Sequence, residues 1–96
     1  ESDIVVAMYD ENIPSNDRIV FPNPAKSGDF VWVMGVREGS YYFQLFDTRG
    51  NLVHDGVAEG DGNCRIQLPI LKDGFYFIQL KNSFAQYRAK LIVISQ

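Results

Sequence analysis

The sequence is short of the residues that build chemical sites. It has one cysteine, Cys64, and one histidine, His54. A lone cysteine forms no internal disulfide, and Cys64 lacks the further His or Cys ligands of a zinc site. His54 stands mid-strand beside Asp55, and without a nucleophile near it in space it is a surface strand residue. Basic residues are few as well. Nine Lys and Arg against twelve Asp and Glu leave a net charge of −3, which excludes the basic footprint of a nucleic-acid binder. No apolar run approaches the ~18 residues of a membrane-spanning helix, and no stretch has the pattern of a signal peptide. No Asn-x-Ser/Thr acceptor occurs. A helical period is not sustained anywhere.

What the sequence has is short runs of aromatic and β-branched residues, separated by eight Gly and four Pro. That composition favours strands. Ninety-six residues make one domain, and a chain of that size buries only roughly 60–65 % of its extended surface, so the core is small. The chain starts at Glu1 rather than Met, and it is expected to be a piece of a longer precursor.

Residues 4–9 (IVVAMY) are apolar enough for a strand. Residues 10–17 (DENIPSND) are polar, contain Pro14 and read as a linker. Residues 18–21 form a short apolar run stopped by Pro22-Asn23-Pro24, which allows neither a helix nor a central strand. Residues 30–34 are the next expected strand, with Phe30, Trp32 and Met34 on one face. Residues 35–40 are expected to turn. Residues 41–46 place Tyr41, Phe43 and Leu45 on one face. Asp47-Thr48-Arg49-Gly50 has Asp first and Gly fourth, as a type I turn prefers, so residues 41–57 are a predicted hairpin. Residues 58–63 (AEGDGN) are expected to form an acidic loop. Asp55, Glu59 and Asp61 cluster there, but their spacing does not match a calcium loop. Residues 64–68 alternate, with Cys64, Ile66 and Leu68 on one face, until Pro69.

The last stretch, residues 71–96, organises the rest. Lys72-Asp73-Gly74 is a turn. Residues 75–80 then alternate, Tyr76, Ile78 and Leu80 one way and Phe75, Phe77 and Gln79 the other. After a reversal at residues 81–83, Gln86, Arg88 and Lys90 share one face and Tyr87, Ala89 and Leu91 the other. Residues 91–94 are four apolar residues in a row, the pattern of a strand buried on both faces, so this end of the chain is expected in the core. Short strands at this spacing predict an all-β fold, an Ig-like antiparallel β-sandwich of about seven strands, with residues 4–9 as a possible extra. The expected core includes Trp32, Phe43, Leu45, Tyr76, Ile78 and Leu91. Trp32 and the tyrosines are read as core and cross-strand pairs rather than a sugar-binding face.

Four segments in order resemble the C-terminal sorting domain of type IX secretion cargo (the Por secretion system), of the type A kind, known from Bacteroidetes. Residues 18–25 (RIVFPNPA) look like its opening segment and residues 42–53 (YFQLFDTRGNLV) like its central hairpin. Residues 68–80, with Asp73-Gly74-Phe75-Tyr76, are similar to its L-x-x-G-x-Y segment, and residues 88–94 (RAKLIVI) to its closing strand. Phe21 stands where Tyr is common, and Ala89 splits the usual paired basics. The resemblance implies an address and not an activity: no catalytic residue, no cofactor and no metal. It implies a domain at residues 18–96, with residues 1–17 the linker or end of the preceding cargo. Its partners would be the translocon components and a surface sortase, beside the N-terminal cargo domain. The cargo passes through the periplasm to the cell surface or medium, and the sortase usually removes the domain and attaches the cargo to anionic lipopolysaccharide. Residues 4–9 allow a strand-swapped dimer. Recognition is expected at Asp47, Gly50, Asp73, Gly74, Tyr76, Arg88, Lys90, Leu91 and Val93. The alternative from another class is an extracellular Ig-like adhesion or carbohydrate-binding module, and a small hydrolase would need a nucleophile beside His54.

Overall fold

One long, bent hairpin dominates the chain. The computed structural model describes residues 17–94. In order these form β1 (Asp17–Arg18), β2 (Val20–Phe21), β3 (Ala25–Lys26), β4 (Phe30–Phe46), β5 (Leu52–Gln67), β6 (Gly74–Lys81) and β7 (Gln86–Ile94). The apolar run at residues 4–9 and almost all of the expected linker lie outside the described residues. Strands β4 and β5 pair antiparallel from Phe30↔Gln67 to Phe46↔Leu52. The hairpin expected at residues 41–57 is therefore the distal half of a longer one. Residues 35–40, expected as a turn, continue β4, and residues 58–63, expected as a loop, continue β5.

The glycines that read as loop signals serve a bend inside the ladder. Met34 pairs with Asn63 and Val36 with Gly62, so Gly35 is the extra residue of a bulge, at φ +75°. At Gly60 a Cβ would come within 2.8 Å of Val36 Cγ1 and 3.0 Å of the Arg37 carbonyl oxygen. The strands approach this closely because Gly60 has no side chain. The bulged backbone loses ladder partners, and side chains replace them. Arg18 Nε donates to the Gly35 carbonyl at 2.8 Å, Tyr41 Oη to the Arg37 carbonyl at 2.8 Å, and the Arg37 amide to Tyr87 Oη at 3.3 Å. The Tyr41 and Tyr87 rings lie 5.9 Å apart, and the Arg18 guanidinium sits over Tyr87.

The bend carries β4 from one layer of the sandwich to the other. Near its start β4 pairs with β2, through Val33↔Val20 and Trp32↔Phe21. Near its end it pairs with β6, from Tyr42↔Lys81 to Phe46↔Phe77. Alternate side chains from both parts meet in one core. Tyr41, Phe43, Leu45, Cys64, Ile66, Leu68, Tyr76, Ile78, Leu80, Tyr87 and Ala89 all point into it, as their alternation predicts. Two further expectations fail. Val31 and Val33, not Trp32, face the core, so Trp32 is half-buried and Met34 exposed. All five residues from 30 to 34 are apolar, so the alternation there could not say which face was inside. The run at residues 91–94 also alternates: Leu91 and Val93 are 0 % and 1 % exposed, whereas Ile94 is 39 % exposed.

Strand β7 is paired on both sides. On one side it runs antiparallel to β6, from Gln86↔Lys81 to Val93↔Gly74. On the other it takes two parallel fragments, β1 at Arg88 and Ala89 and β3 at Val93 and Ile94. These departures from a fully antiparallel sheet leave a gap, and Asn23 fills it. Its Nδ2 donates to the Lys90 carbonyl at 3.3 Å and its Oδ1 accepts from the Ile92 amide at 2.8 Å. One side-chain amide thus replaces a strand residue, and the Ser27 amide closes the row on the Ile94 carbonyl at 3.1 Å. Leu91→Ala is expected to destabilise the domain by ~2–5 kcal/mol, and Ile94→Ala by less than ~1 kcal/mol, measured by urea unfolding. Equal losses would return residues 91–94 to a strand buried on both faces.

Candidate functional site

The outward side chains of β4, β6 and β7 form a shallow groove of about 760 Å³, walled by β1 and the loop after β2. Register lines them up across the strands. Phe46 pairs with Phe77 and Phe77 with Lys90, while Gln44 pairs with Gln79 and Gln79 with Arg88. Arg88 and Lys90 are exposed here, as their alternation predicts. Arg88 bonds to Asp17 at 3.3 Å, with both side chains 67 % exposed. A pair so wet adds little stability and serves to position the guanidinium. The groove carries Arg88 and Lys90 against a single acid, Asp17, in a chain of net charge −3, while the lining residue Arg18 turns its guanidinium to Gly35 and Tyr87.

Two turns flank this face at the same pole of the sandwich. In the first, the Gly50 amide donates to the Asp47 carbonyl at 3.0 Å, and Asp47 Oδ1 accepts from the Arg49 and Asn51 amides at 2.9 Å each. The Asn51 amide, then the Arg49 amide, favour the ionised carboxyl and hold its pKa below the ordinary 3.8 despite partial desolvation. Phe46, the next residue back along β4, links this turn to the groove. The second turn precedes β6. Tyr76 Oη reaches back four residues to donate to the Lys72 carbonyl at 2.8 Å, which pins Asp73 and Gly74 between them. Tyr41 makes the same four-residue tie to Arg37. Both resemble the tyrosine corner of Ig-like sandwiches.

The expected recognition residues therefore divide. Gly50, Asp73, Arg88 and Lys90 are exposed, and Asp47 and Gly74 are half-buried. Tyr76, Leu91 and Val93 belong to the core, so they shape the surface through the strands they hold. Phe46 and Phe77 were not among the expected residues. Their signal was legible: Phe77 stands on the outward face of β6, where a polar residue is the usual choice, and it is 42 % exposed.

The residues considered for chemistry are dispersed. His54 packs on Phe43 with ring centroids 5.6 Å apart, and Asp55 instead accepts from Tyr42 Oη at 2.5 Å. Glu59 accepts from Ser40 Oγ at 2.7 Å. Burial pushes the Cys64 thiol up to about 11, so it is protonated and unreactive at neutral pH. Among the described residues no group of three or more His, Cys, Asp and Glu is placed to hold a metal ion. No helix among them is long and apolar enough to cross a membrane.

The architecture is that of an Ig-like β-sandwich. A family model described as the secretion system C-terminal sorting domain matches residues 19–94, and the chain belongs to that family, the sorting domains of type IX secretion. Its role is that of a secretion signal attached to a cargo that ends at the cell surface or in the medium. Comparison with curated proteins gives no match. Among solved structures the chain is similar to PorZ, a surface component of the type IX secretion system of Porphyromonas gingivalis, with 19 % identity and a TM-score of 0.56 over 78 % of this chain and 11 % of that one. It is similar to latent dimeric PorU of the same organism, with 21 % identity and a TM-score of 0.51 over 82 % of this chain and 9 % of that one. CopC of Methylosinus trichosporium shares the fold at 22 % identity and a TM-score of 0.52, over 86 % of this chain and 88 % of that one. These likenesses concern the fold. The chain spans about a tenth of the length of PorZ and PorU.

The Asp47 turn yields a pH prediction. A carboxyl with a depressed folded pKa contributes stability above its unfolded pKa, and that contribution is lost as pH falls through the lower folded value. Asp47→Ala is expected to lower Tm at pH 7, and the gap from wild type should narrow as pH drops below 3.8. A gap independent of pH would show that the carboxylate charge does not hold the turn.

Proposed function

We propose that this domain is read by the type IX translocon through the outward face of β7, with Arg88 and Lys90 as the contacting charges and the Asp47–Gly50 and Asp73–Gly74 turns as its flank. The observation that carries the role is the family match over residues 19–94. The choice of face rests on physical grounds. The charges stand mid-strand on a rigid sheet that is closed on both sides, so they are presented in fixed positions. Such a surface gives specificity and encounter rate at little cost to folding.

In this reading the domain, of the type A kind, occupies residues 18–96 and follows its cargo through the periplasm. Residues 1–17 are the linker from the cargo, and a surface sortase cuts there before attaching the cargo to anionic lipopolysaccharide. The domain itself carries no catalytic step and needs no cofactor. A sorting domain is not an enzyme, and dispersed acids, a half-buried histidine and a protonated buried thiol support that assignment. Residues 4–9, an apolar run on a polar linker, offer a strand that two copies exchange. The family match does not favour the adhesive or carbohydrate-binding alternative.

The test is Arg88→Ala with Lys90→Ala, in the chain fused to a periplasmic reporter in a type IX-competent strain. Arg88 and Lys90 are exposed, so the double substitution should change stability by less than ~1 kcal/mol and leave Tm nearly unchanged. Surface delivery of the reporter should fall to background. Normal delivery of the folded double variant would move recognition elsewhere. Mass spectrometry of the released cargo tests the linker: a mature end beyond Phe30 would place the cut inside the sandwich and rule out residues 1–17.

A further inference from the structure

The face that carries Arg88 and Lys90 also carries aromatic surface with no polar purpose in a free domain. Phe46, Phe77 and Lys90 fall in one line across three neighbouring strands. Neighbouring strands lie ~4.8 Å apart, so the ends of this line are ~10 Å apart. An isolated exposed phenylalanine is ordinary on a protein surface. Two cross-strand phenylalanines inside a groove, with a cation at the end of their row and a second on the next row, have the composition of a binding anchor: an aromatic floor and an Arg/Lys rim. The charge is locally inverted as well. Arg88 and Lys90 stand in the groove against one acid, Asp17, in a chain of net negative charge, which selects an anionic partner.

We infer that this groove binds an extended acidic segment of a partner protein, with an apolar side chain on Phe46 and Phe77 and a carboxylate on Lys90 or Arg88. The segment crosses the strands. In polyproline II geometry an extended chain rises ~3.1 Å per residue with three residues per turn, so an apolar residue and an acid three positions apart share one face and span ~9 Å, close to that distance. The groove thus reads the pattern apolar-x-x-acid. Phe77, at the centre of the line, sets specificity, and the cations set encounter rate and salt dependence. This deepens the reading of β7 as the recognised face and rests on it only for the partner's place in the secretion system.

The probe is a synthetic peptide with Phe and Glu three residues apart on a Gly/Ser/Thr background, titrated into the ¹⁵N-labelled chain of residues 1–96. Shift changes are expected at Phe46, Phe77, Arg88 and Lys90, weakening as salt is raised. Phe77→Thr, which keeps strand propensity, should lower affinity about tenfold or more. Lys90→Glu is a second variant on the same line and needs no change in the aromatic floor. A peptide with Lys in place of Glu should not bind. The inference is overturned by no binding, by equal binding of the Lys peptide, by shifts confined to the β5 edge, or by an affinity unchanged in both variants. It is also overturned if dextran sulfate binds the same face as tightly as the peptide and independently of Phe77, because the site would then be a general polyanion surface. The two proposals fail separately. Lost export of the Arg88/Lys90 double variant with no peptide binding keeps the face and removes this ligand. Peptide binding with normal export keeps the groove and removes its role in sorting.

Discussion

Everything that presents this surface depends on β7 being held from both sides. Pairing with β6 is an ordinary antiparallel ladder. The other side is assembled from two parallel fragments and the amide of Asn23. Only this arrangement makes β7 internal. An internal strand has its backbone consumed, so what a partner can read is its outward side chains. Pro22 and Pro24 fit the same purpose. Neither has an amide hydrogen to leave unpaired beside the ladder, and between them Asn23 is presented to Lys90 and Ile92. The wall of the groove is a product of the same closure, because β1 brings Asp17 against Arg88.

Alternation gives each strand two tasks. Inward residues of β7, Tyr87 to Val93 in steps of two, build the core, and the outward residues Arg88 and Lys90 carry charge. The core half is costly to change and the outward half is cheap. A sorting domain gains from that division. It must fold reliably whatever cargo precedes it, yet its readable face can vary without risk to the fold. The groove sits on the sheet formed by the far half of the bent hairpin, β6 and β7. The bulges at Gly35 and near Gly39 let one β4 serve both layers.

Much of this was legible in the sequence, for reasons that can be named. Strands in which a polar residue marks the outer set, Gln44 in residues 41–46, Gln79 in 75–80 and Gln86, Arg88 and Lys90 in 86–90, show the predicted face inward. Asp47 and Gly50 marked their turn because each supplies a specific backbone hydrogen bond. Where both alternate sets are apolar, at residues 30–34 and 91–94, periodicity carries no information about facing, and the set holding Trp32 proves to be the outer one. Glycines at residues 35, 39, 60 and 62 read as loops because a bulge and a turn ask for the same residue. The pairing of Asn23 with β7 joins residues 67 and 69 positions apart, and nothing local announces it. The site divides likewise. The exposure of Arg88 and Lys90 followed from period two. Their company with Phe46 and Phe77 depends on the order of strands, which periodicity does not contain.

The closure of β7 is the claim on which the rest stands, and the Ile92 amide tests it most directly, since its acceptor is the side chain of Asn23. Native-state hydrogen exchange should find this amide protected in the wild-type chain to a degree comparable with the amides of β7 that pair with β6. In Asn23→Ala it should exchange much faster, while the amides on the β6 side keep their protection. Exchange of the wild-type Ile92 amide at the rate of an exposed loop would contradict the account. It would mean that β7 has an open edge, and that a partner can add a strand to it instead of reading its side chains.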